Sequence, residues 1–277
     1  EGEPPAEFLN LVVEDSEQLK AADVAAVFTA IESEPARTLE PTYAATTPVF
    51  STASAFRYEA DVPILVLPAN ASQAPLIRTQ QKNRGWKGFI VPGPNCTTIG
   101  LVQTLKPLDV AFGIETVIMT SMQAVSGAGR SPGVRAPDID DNVIPYIPKE
   151  EEKVEKETKK VLGRLSGEII DPHALRISCT CTRVAVLEGH TESVFVGLKK
   201  GADPGAIAHT FRAYDRELKE LELPSAPAHW IVVHDDPFRP QPRRDRDNEA
   251  GMATTVGRIR PDTAFANGVK YVLVSHN

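Results

Sequence analysis

Short apolar segments alternate with helix-forming segments over the first hundred residues, and this alternation restricts the possible folds more than any other feature of the sequence. Apolar runs of the β type lie at 23–29, 48–51, 62–67 and 88–91, and helical stretches such as 72–81 lie between them. Continuous apolar strands separated by helices are typical of a parallel sheet that is covered on both faces. The pattern therefore predicts an α/β domain at the start of the chain.

The pattern changes after about residue 110, where longer β-type runs predominate. Strands are predicted at 115–125, 175–187, 192–198, 230–234 and 252–259. Helices are predicted at 149–162 and 204–221, and a polar loop containing prolines at 239–248. Strands grouped with only a few helices favour an α+β domain with a largely antiparallel sheet.

Composition excludes several classes of protein. A chain of 277 residues suggests two domains at roughly 150 residues each. The 30 Lys and Arg against 37 Asp and Glu give a net charge of −7 without a long basic tract, which argues against nucleic-acid binding. The Arg-Arg-Asp-Arg-Asp cluster at 243–247 carries its own counter-charges, so we interpret it as a solvated loop or an ion-pair network.

Cysteine content and hydropathy indicate a reducing compartment. Three cysteines cannot form a disulfide framework, and no Cys-x-x-Cys pair suggests a metal site. Cys179 and Cys181 share one face of a β-type run and are interpreted as small core residues. No apolar stretch reaches the ~18 residues of a membrane helix, and the acidic first residues differ from a signal peptide. We therefore predict a cytoplasmic protein with no metal and no membrane partner.

Cys96 is the sharpest local candidate for chemistry. Residues 94–100, Pro-Asn-Cys-Thr-Thr-Ile-Gly, follow the predicted strand 88–91 and open a helix. A helix N-terminus brings free N–H groups and the positive end of the dipole to the thiol, so its pKa is expected to fall below ~8.5. A lone cysteine is more often structural, but α/β proteins place their sites at the ends of parallel strands. The position therefore favours a nucleophile.

Two further segments could supply polar groups. Residues 123–129, Gln-Ala-Val-Ser-Gly-Ala-Gly, end a strand, and Gly127 and Gly129 would let the backbone approach a ligand. The same Ser-Gly-x-Gly sequence also describes a plain turn, which is the better supported interpretation of this segment alone. Glu150 and Lys153 begin the inward side of the helix 149–162, where they could hold an amino group and an anion or form a solvated first turn. The other charges of this helix are expected to form ordinary i,i+4 pairs.

Arg183 and His190 form the last candidate pair. Arginine suits bidentate binding of a carboxylate, and histidine suits proton transfer near neutral pH. Seven residues apart on one regular strand they would face opposite sides, and Gly189 could mark the bend that aligns them. Six histidines are present, so this pairing is one of several possibilities.

The motifs that combine these candidates lie, in chain order, at 88–91, 94–98, 123–129, 141–147, 150–153, 183–192, 239–243 and 275–277. Together they resemble the aspartate-β-semialdehyde dehydrogenase family, especially its archaeal and fungal branch, over nearly the whole chain. The resemblance implies an incomplete Rossmann-like nucleotide-binding domain at 1–95. A mixed or antiparallel-sheet catalytic and dimerisation domain, similar to that of glyceraldehyde-3-phosphate dehydrogenase, would follow at 96–277.

The resemblance also implies a role for each site residue. Cys96 would be the nucleophile, His190 the acid/base, and Gln123 the group that orients the substrate. The implied substrate-binding residues are Arg183 for the carboxylate, Glu150 for the amino group, and Lys153 and Arg57 for phosphate. The implied positions near the nicotinamide nucleotide are Ser33, Ser126, Gly127 and Asn277.

The implied reaction interconverts L-aspartate 4-semialdehyde plus phosphate and 4-phospho-L-aspartate, with NADP as cofactor, in lysine, threonine and methionine biosynthesis. A thioester on the cysteine would be the intermediate, and the implied assembly is a homodimer or homotetramer. Two alternatives stay open. One is a related acyl reductase of the malonyl-CoA or N-acetylglutamyl-phosphate type, against which Glu150 argues because it offers an amino group a partner. The other is a catalytically inactive dimerising fragment.

The ends of the sequence depart from the family pattern. The family's first strand and its Gly-Ala-Thr-Gly-x-x-Gly phosphate loop have no match, and neither has the Gly-Ala-Ala-Gly segment expected after Asn277. We therefore expect either a fragment or an enzyme whose ends are not represented. An isolated piece of this length is expected to bind NADP poorly.

Overall fold

The computed structural model describes residues 6, 9–128, 136–214 and 223–277. They divide into two compact units, one formed by Glu1–Val62 and Pro75–Gly93, the other by Pro63–Ala74 and Pro94–Asn277. The predicted domain boundary between residues 95 and 96 stays a prediction. No helix in the described ranges is long and apolar enough to cross a membrane.

The described residues mostly alternate between helices and strands up to Val161, after which several strands follow one another directly. In chain order, the α-helices are α1 (Ser33–Ala44), α2 (Leu67–Asn70), α3 (Leu76–Arg84), α4 (Cys96–Phe112), α5 (Ala136–Ile139), α6 (Glu150–Val161), α7 (Pro204–Ala213) and α8 (Pro242–Asp245). The strands are β1 (Val27–Thr29), β2 (Val49–Ser51), β3 (Ile90–Pro92), β4 (Ile114–Gln123), β5 (Val143–Ile144), β6 (Arg164–Ser166), β7 (Ile169–Asp171), β8 (Arg176–Val184), β9 (His190–Leu198), β10 (Ile231–Val233), β11 (Thr254–Asp262) and β12 (Gly268–Ser275). Short 3-10 turns lie at Ser16–Gln18, Ala21–Asp23, Ala71–Gln73, Val125–Ala128 and Asn248–Gly251.

The first unit contains a parallel sheet in the order β1-β2-β3, as the alternating pattern predicts. Helix α1 follows β1 and is tied to the sheet by its fully buried Glu40. Thr29 Oγ1 donates a hydrogen bond of 2.6 Å to Glu40 Oε1, and Ser51 Oγ donates one of 2.5 Å to the same oxygen. Because a buried carboxylate is costly without partners, these two bonds fix the helix against β1 and β2.

The predicted strand at 62–67 is wrong. Val62, Ile64 and Val66 are buried, but the backbone groups that a strand would pair are taken by the amide of Asn70. Val66 N donates to Asn70 Oδ1 at 2.8 Å, and Asn70 Nδ2 donates to the carbonyl of Ile64 at 2.7 Å. A buried backbone needs its polar groups satisfied, and a side chain meets that need in this segment.

The second unit is built on a seven-stranded sheet in the order β10-β11-β12-β9-β4-β8-β5. The pairs β4–β8 and β10–β11 are parallel and the other four pairs are antiparallel, so the sheet is mixed. Strand β12, which was not predicted from the sequence, lies between β11 and β9. The predicted helix at 204–221 is described as α7 up to Ala213, and residues 215–222 lie outside the described ranges.

Helices α4, α6 and α7 pack on one face of this sheet. Helix α4 is central because Leu101, Val102, Leu105 and Leu108 are all fully buried, and they join the alternate residues of β4, β9 and β12 in one core. Cys179 and Cys181 are free and buried in this core, as predicted. A helix buried on nearly all sides holds its first residue, Cys96, in a fixed place.

Helix α6 covers the edge of β8 beyond the two residues of β5. Cys181 N donates to Glu151 Oε1 at 3.0 Å, and Cys179 N donates to Glu155 Oε1 at 3.0 Å. The expectation that these two glutamates serve only as ordinary i,i+4 partners is therefore wrong. They satisfy strand N–H groups that would otherwise lack a neighbour.

In the 243–247 cluster, Asp245, Arg246 and Asp247 take part in ion pairs, as one of the two interpretations of its sequence predicts, and Arg243 and Arg244 are exposed. Asp245, fully buried at the end of α8, accepts hydrogen bonds from Arg239 Nε at 2.8 Å and from Gln241 N at 2.6 Å. His234 Nε2 lies 3.1 Å from the same carboxylate. The guanidinium of Arg239 keeps the pKa of Asp245 below its usual value despite burial.

Candidate active site

The ends of three neighbouring strands bring together Gln123, Arg183 and His190. Gln123 ends β4 and is paired in register with Arg183 of β8, while His190 begins β9 on the other side of β4. All three side chains are buried. A bend was expected at Gly189, and this residue has φ 89°, a conformation that favours glycine. Arg183 and His190 therefore lie on different strands and face the same side.

Cys96 is the first residue of α4 and lies against His190. The distance between Cys96 Sγ and His190 Nε2 is 3.2 Å. The preceding residue, Asn95, is the N-cap of the helix, and its Oδ1 accepts a hydrogen bond of 3.0 Å from Thr97 N. A thiol within hydrogen-bonding distance of an imidazole is the arrangement used for nucleophilic catalysis.

Glu150 is the hydrogen-bond acceptor at the centre of a second cluster of polar side chains. It begins α6, is 6% exposed, and accepts hydrogen bonds at Oε1 from Asn95 Nδ2 at 2.7 Å and from Gln123 Nε2 at 3.3 Å. Lys153 Nζ lies 3.6 Å from Glu150 Oε2. The structure thus brings Glu150 and Lys153 together with the cap of the Cys96 helix and with the end of β4.

The expected fall in the pKa of Cys96 is wrong. Burial and the negative charge of Glu150 raise the pKa of this thiol to about 11, and the N–H of Thr97 and the charge of Arg183 oppose them only in part. Burial, with Arg183 and His276, lowers the pKa of His190 to about 3. The helix N-terminus acts in the predicted direction, but desolvation of the charged form is larger. Near neutral pH the pair is a neutral thiol beside a neutral imidazole.

This electrostatic balance predicts the pH dependence of Cys96 alkylation. The rate with iodoacetamide should rise with pH toward about 11, because only the thiolate reacts. Glu150→Gln should lower the apparent pKa and speed alkylation at pH 8, since it removes the carboxylate that disfavours the thiolate. Glu152→Gln, at an exposed position of the same helix, is the matched control and should leave the profile unchanged. Equal profiles for all three proteins would contradict this account of the site.

The predicted nucleotide-binding residues of the second unit lie beside His190. Asn277 Nδ2 donates to Ser126 Oγ at 3.0 Å, and Gly189 N donates to Asn277 Oδ1 at 2.8 Å. A Cβ on Gly127 would lie 2.9 Å from His190 Cε1 and 3.2 Å from Arg183 Nη1, so the backbone at Gly127 packs directly against the imidazole. Gly129 lies outside the described residues.

The remaining predicted residues, Ser33 and Arg57, lie in the first unit. Ser33 is the first residue of α1, and its Oγ is 2.8 Å from Ser54 Oγ. Arg57 is 6% exposed and donates from Nε to the carbonyl of Gly93 at 2.8 Å and from Nη2 to the carbonyl of Thr52 at 2.9 Å. Their roles toward the nucleotide and phosphate stay predictions.

Three residues of the site were missed from the sequence. Asn95 links the Cys96 helix to Glu150, and Glu157 Oε2 accepts a hydrogen bond of 2.6 Å from Asn95 N. Asparagine before a helix is a preferred N-cap, so the role of Asn95 could have been predicted. Ala124 donates from its main-chain N to His190 Nδ1 at 3.1 Å and accepts from Arg183 Nη1 at 2.7 Å. Because it acts through its backbone, no side-chain pattern marks it.

The site combines several kinds of polar side chain. They are a thiol, an imidazole, two amides, a carboxylate and two cationic groups. Within the described ranges of the chain, no group of three or more His, Cys, Asp or Glu is placed to hold a metal ion. The thiol and the imidazole are the groups suited to covalent chemistry, and the charged groups around them are suited to binding a charged substrate.

Comparison with known proteins identifies the family of this chain. Residues 1–76 match the family model "Semialdehyde dehydrogenase, NAD binding domain", and residues 105–277 match "Semialdehyde dehydrogenase, dimerisation domain". The chain is 44% identical to the aspartate-semialdehyde dehydrogenase of Methanothermobacter thermautotrophicus over 99% of this chain and 79% of that protein. It is 47% identical to that of Archaeoglobus fulgidus over 93% of this chain and 73% of that protein.

A solved structure gives the same result for the fold. The crystal structure of aspartate semialdehyde dehydrogenase with NADP from Candida albicans has a TM-score of 0.87 and 34% identity, and the match covers 100% of this chain and 79% of that one. The structural match extends through both units. The chain belongs to the aspartate-semialdehyde dehydrogenase family.

Proposed function

We propose that this protein is a phosphorylating, NADP-dependent aspartate-semialdehyde dehydrogenase. It interconverts L-aspartate 4-semialdehyde plus phosphate and 4-phospho-L-aspartate, a step in the biosynthesis of lysine, threonine and methionine. The observation that carries the proposal is the 3.2 Å contact between Cys96 Sγ and His190 Nε2. This contact lies in a chain with 44–47% identity to archaeal enzymes of that name.

The charged groups around Cys96 suit an amino-acid aldehyde. Arg183 is 4% exposed, and its Nε has no hydrogen-bond partner among the described residues, which leaves it available to a carboxylate. Glu150 already accepts bonds from two amides, and its remaining oxygen faces the ammonium of Lys153. A substrate amino group can join Glu150, and phosphate can bind Lys153. We assign these three residues and Arg57 to substrate and phosphate.

The nucleotide fits beside the reacting pair. Ser126 is exposed and hydrogen-bonded to Asn277, so both offer polar atoms to a carboxamide next to His190. Gly127 keeps this position free of a side chain, and Ser33 begins a helix in the nucleotide-binding part of the chain. When bound, NADP would supply the acceptor for the hydride that leaves the substrate carbon. We assign Ser33, Ser126, Gly127 and Asn277 to the nucleotide site.

The chain's own residues carry the remaining chemistry. The sulfur of Cys96 adds to the aldehyde carbon, and His190, which we assign as the acid/base, takes the thiol proton and returns it to the carbonyl oxygen. Loss of hydride from the carbon and of the hydroxyl proton to His190 leaves an acyl group on sulfur. Gln123, held by Ser121 and Glu150, orients this acyl group. Phosphate then attacks the thioester carbonyl, the C–S bond breaks, and aspartyl phosphate leaves. The biosynthetic direction is the reverse.

The proposal is tested by assaying NADPH formation from L-aspartate 4-semialdehyde and phosphate. Omission of phosphate should stop steady turnover after one equivalent. Parallel assays of the reverse reaction with malonyl-CoA and with N-acetylglutamyl phosphate address the alternative acyl reductases. Faster turnover of either compound than of 4-phospho-L-aspartate would reject the proposal. Glu150 favours the aspartyl substrate because it offers a partner to the substrate amino group.

The assembly we propose is a homodimer, with a homotetramer as the larger possibility. The family model that matches residues 105–277 is described as a dimerisation domain, and it includes the large sheet. The face of this sheet opposite the helices carries Ile118, 44% exposed, paired in register with Phe195 of β9. An apolar pair in the middle of an open sheet face suits a second copy of the chain. We also propose a cytoplasmic location and no nucleic-acid partner, in keeping with free thiols and a net charge of −7.

Ile118→Arg should therefore dissociate the oligomer. An arginine at this position would bring an unpaired charge into an apolar interface, which costs several kcal/mol. Light scattering at about micromolar concentration should show the mass falling to that of one chain. Val110→Arg, at a 70% exposed position near the end of α4, is the matched control and should leave the mass unchanged. A wild-type protein that is strictly monomeric would count against the proposed assembly.

A further inference from the structure

We propose that the amino group of the substrate displaces Lys153 from Glu150, and that the released Lys153 completes the phosphate site. The semialdehyde and phosphate therefore help each other to bind, because one carboxylate oxygen does not hold two ammonium groups at close range. The proposal deepens the function assigned above and rests on the roles given there to Glu150, Lys153 and Arg183.

One oxygen of Glu150 is already occupied and fixed in place. Oε1 accepts hydrogen bonds from Asn95 Nδ2 at 2.7 Å and from Gln123 Nε2 at 3.3 Å. Both amides are buried and make further hydrogen bonds, of 3.0 Å with Thr97 N and of 3.2 Å with Ser121 Oγ. Because turning the carboxylate would break buried hydrogen bonds, an incoming amino group must use Oε2.

Lys153 faces this second oxygen. Its Nζ lies 3.6 Å from Glu150 Oε2, within the first turns of α6. This is an ion-pair distance, longer than the roughly 2.7–3.2 Å of a hydrogen bond, so the contact is loose. The side chain of Lys153 is 34% exposed, against 8% for Glu150, and its four-carbon stem can rotate. Of the two partners, Lys153 is therefore the one that can leave.

The substrate amino group arrives at Glu150 already anchored. It shares one carbon with the α-carboxylate, so a carboxylate held by Arg183 keeps the ammonium near the same place. Burial lowers the pKa of Arg183 and the negative charge of Glu150 opposes this change, so the two groups lie close enough for their charges to interact. Two ammonium groups beside one buried carboxylate repel each other more strongly than they would in water. The anchored ammonium stays, and that of Lys153 leaves.

The released ammonium of Lys153 is available to phosphate. An anion is attracted more strongly to an unpaired ammonium than to one that a carboxylate already neutralises. Binding of the semialdehyde therefore raises the affinity for phosphate, and by linkage phosphate raises the affinity for the semialdehyde by the same factor. Phosphate thus binds most tightly when the acyl group that it attacks is in place. In the reverse reaction, 4-phospho-L-aspartate supplies the amino group and the phosphate together.

Phosphorus NMR of inorganic phosphate, titrated with the full chain, measures this coupling without turnover. The companion ligand is L-2-aminobutyrate, which has the amino and carboxylate groups of the semialdehyde and a methyl group in place of the aldehyde. We expect bound L-2-aminobutyrate to raise the phosphate affinity of the wild-type protein about tenfold, within the usual range of coupling between two sites. D-2-Aminobutyrate has the same charges in the opposite configuration and should have no effect. Equal phosphate affinity with and without bound L-2-aminobutyrate overturns the proposal.

A double-mutant cycle tests the cause and needs no amino acid. Glu150→Gln keeps the shape of the side chain but removes the ion pair with Lys153, so it should raise phosphate affinity about tenfold. In a Lys153→Met background the same change should have no effect, because the ammonium that it would release is absent. An equal increase in both backgrounds would mean that phosphate responds only to the total charge, and this result overturns the proposal. Glu152→Gln, at an exposed position of α6, is the matched control and should leave the affinity unchanged.

These outcomes are distinct from a failure of the assigned activity. Equal increases in both backgrounds, in a protein that forms NADPH from the semialdehyde only when phosphate is present, would reject the displacement of Lys153 and keep the enzyme assignment. Phosphate-independent steady turnover would reject the assignment itself. The titration with L-2-aminobutyrate uses wild-type protein, so it decides the coupling even if a variant does not fold.

Discussion

Replacing Cys96 by serine is expected to lower kcat by about 10⁴-fold or more, the scale on which removal of a catalytic nucleophile acts, while the fold and NADP affinity stay nearly unchanged. A serine hydroxyl is far less acidic than a thiol, and the burial that already raises the thiol pKa to about 11 would oppose an alkoxide still more strongly. The first residue of α4 tolerates serine because its helix is capped by Asn95. Steady-state kinetics, circular dichroism and NADP titration check the three parts.

Cys179→Ser is the matched control for this substitution. It introduces the same atom change at a buried thiol of β8 that the proposed chemistry does not use. A buried hydroxyl without a designed partner costs about 1–3 kcal/mol of stability, so the melting temperature should fall while kcat below the transition is kept. Comparable loss of kcat in both variants would mean that Cys96 has no special role.

Arg183→Lys is expected to raise KM for L-aspartate 4-semialdehyde by roughly 30- to 150-fold, which corresponds to about 2–3 kcal/mol for a charge-assisted bidentate contact. Lysine carries the charge but lacks the planar pair of donors that a carboxylate needs. Arg183 also donates to the carbonyl of Ala124 at 2.7 Å, which fixes its guanidinium beside His190. KM for phosphate should be nearly unchanged, and initial rates with each substrate varied in turn measure the split.

Lys153→Met should give the opposite split, with KM for phosphate raised more than KM for the semialdehyde. Lys153 is partly exposed and lies 3.6 Å from Glu150 Oε2, so it can present its ammonium to an anion at the mouth of the site. Lys156→Met, an exposed position one turn along α6, controls for the loss of a positive charge. If Lys153→Met and Lys156→Met raise both KM values equally, the site is not divided between phosphate and semialdehyde. The cause would then be a general electrostatic attraction of the substrates or damaged folding.

The parts of the site that depend on local sequence could be predicted. Cys96 follows a strand and opens a helix, and Gln123, Arg183 and His190 lie at strand ends, so patterns of a few residues were enough to find them. The structure places Cys96 Sγ 3.2 Å from His190 Nε2, and the catalytic roles of the two residues stay predictions. The family resemblance supplied the roles, which a single sequence could not.

The parts that depend on burial and backbone could not be predicted. The pKa of Cys96 rises because α4 is buried on nearly all sides, a consequence of packing against β4, β9 and β12 that no local pattern contains. The apolar run at 62–67 has the composition of a strand, and only the contacts of Asn70 show why it forms none. Ala124 acts through its peptide groups, which every alanine has.

Glu151 and Glu155, which bind N–H groups of β8, also fix the position of α6 along that strand. Four residues of helix rise by about 6 Å and two residues of strand by about 6.6–6.8 Å, so Glu151 and Glu155 reach Cys181 and Cys179 together. A slip of one turn would bring Lys159, which has no acceptor, or Ile147 to these N–H groups. Helix α6 can therefore pack against β8 in only one register. Glu151 and Glu155 look like surface charges that could be replaced to raise solubility. Replacing them would move Glu150 away from Asn95, so catalysis would change as well as solubility.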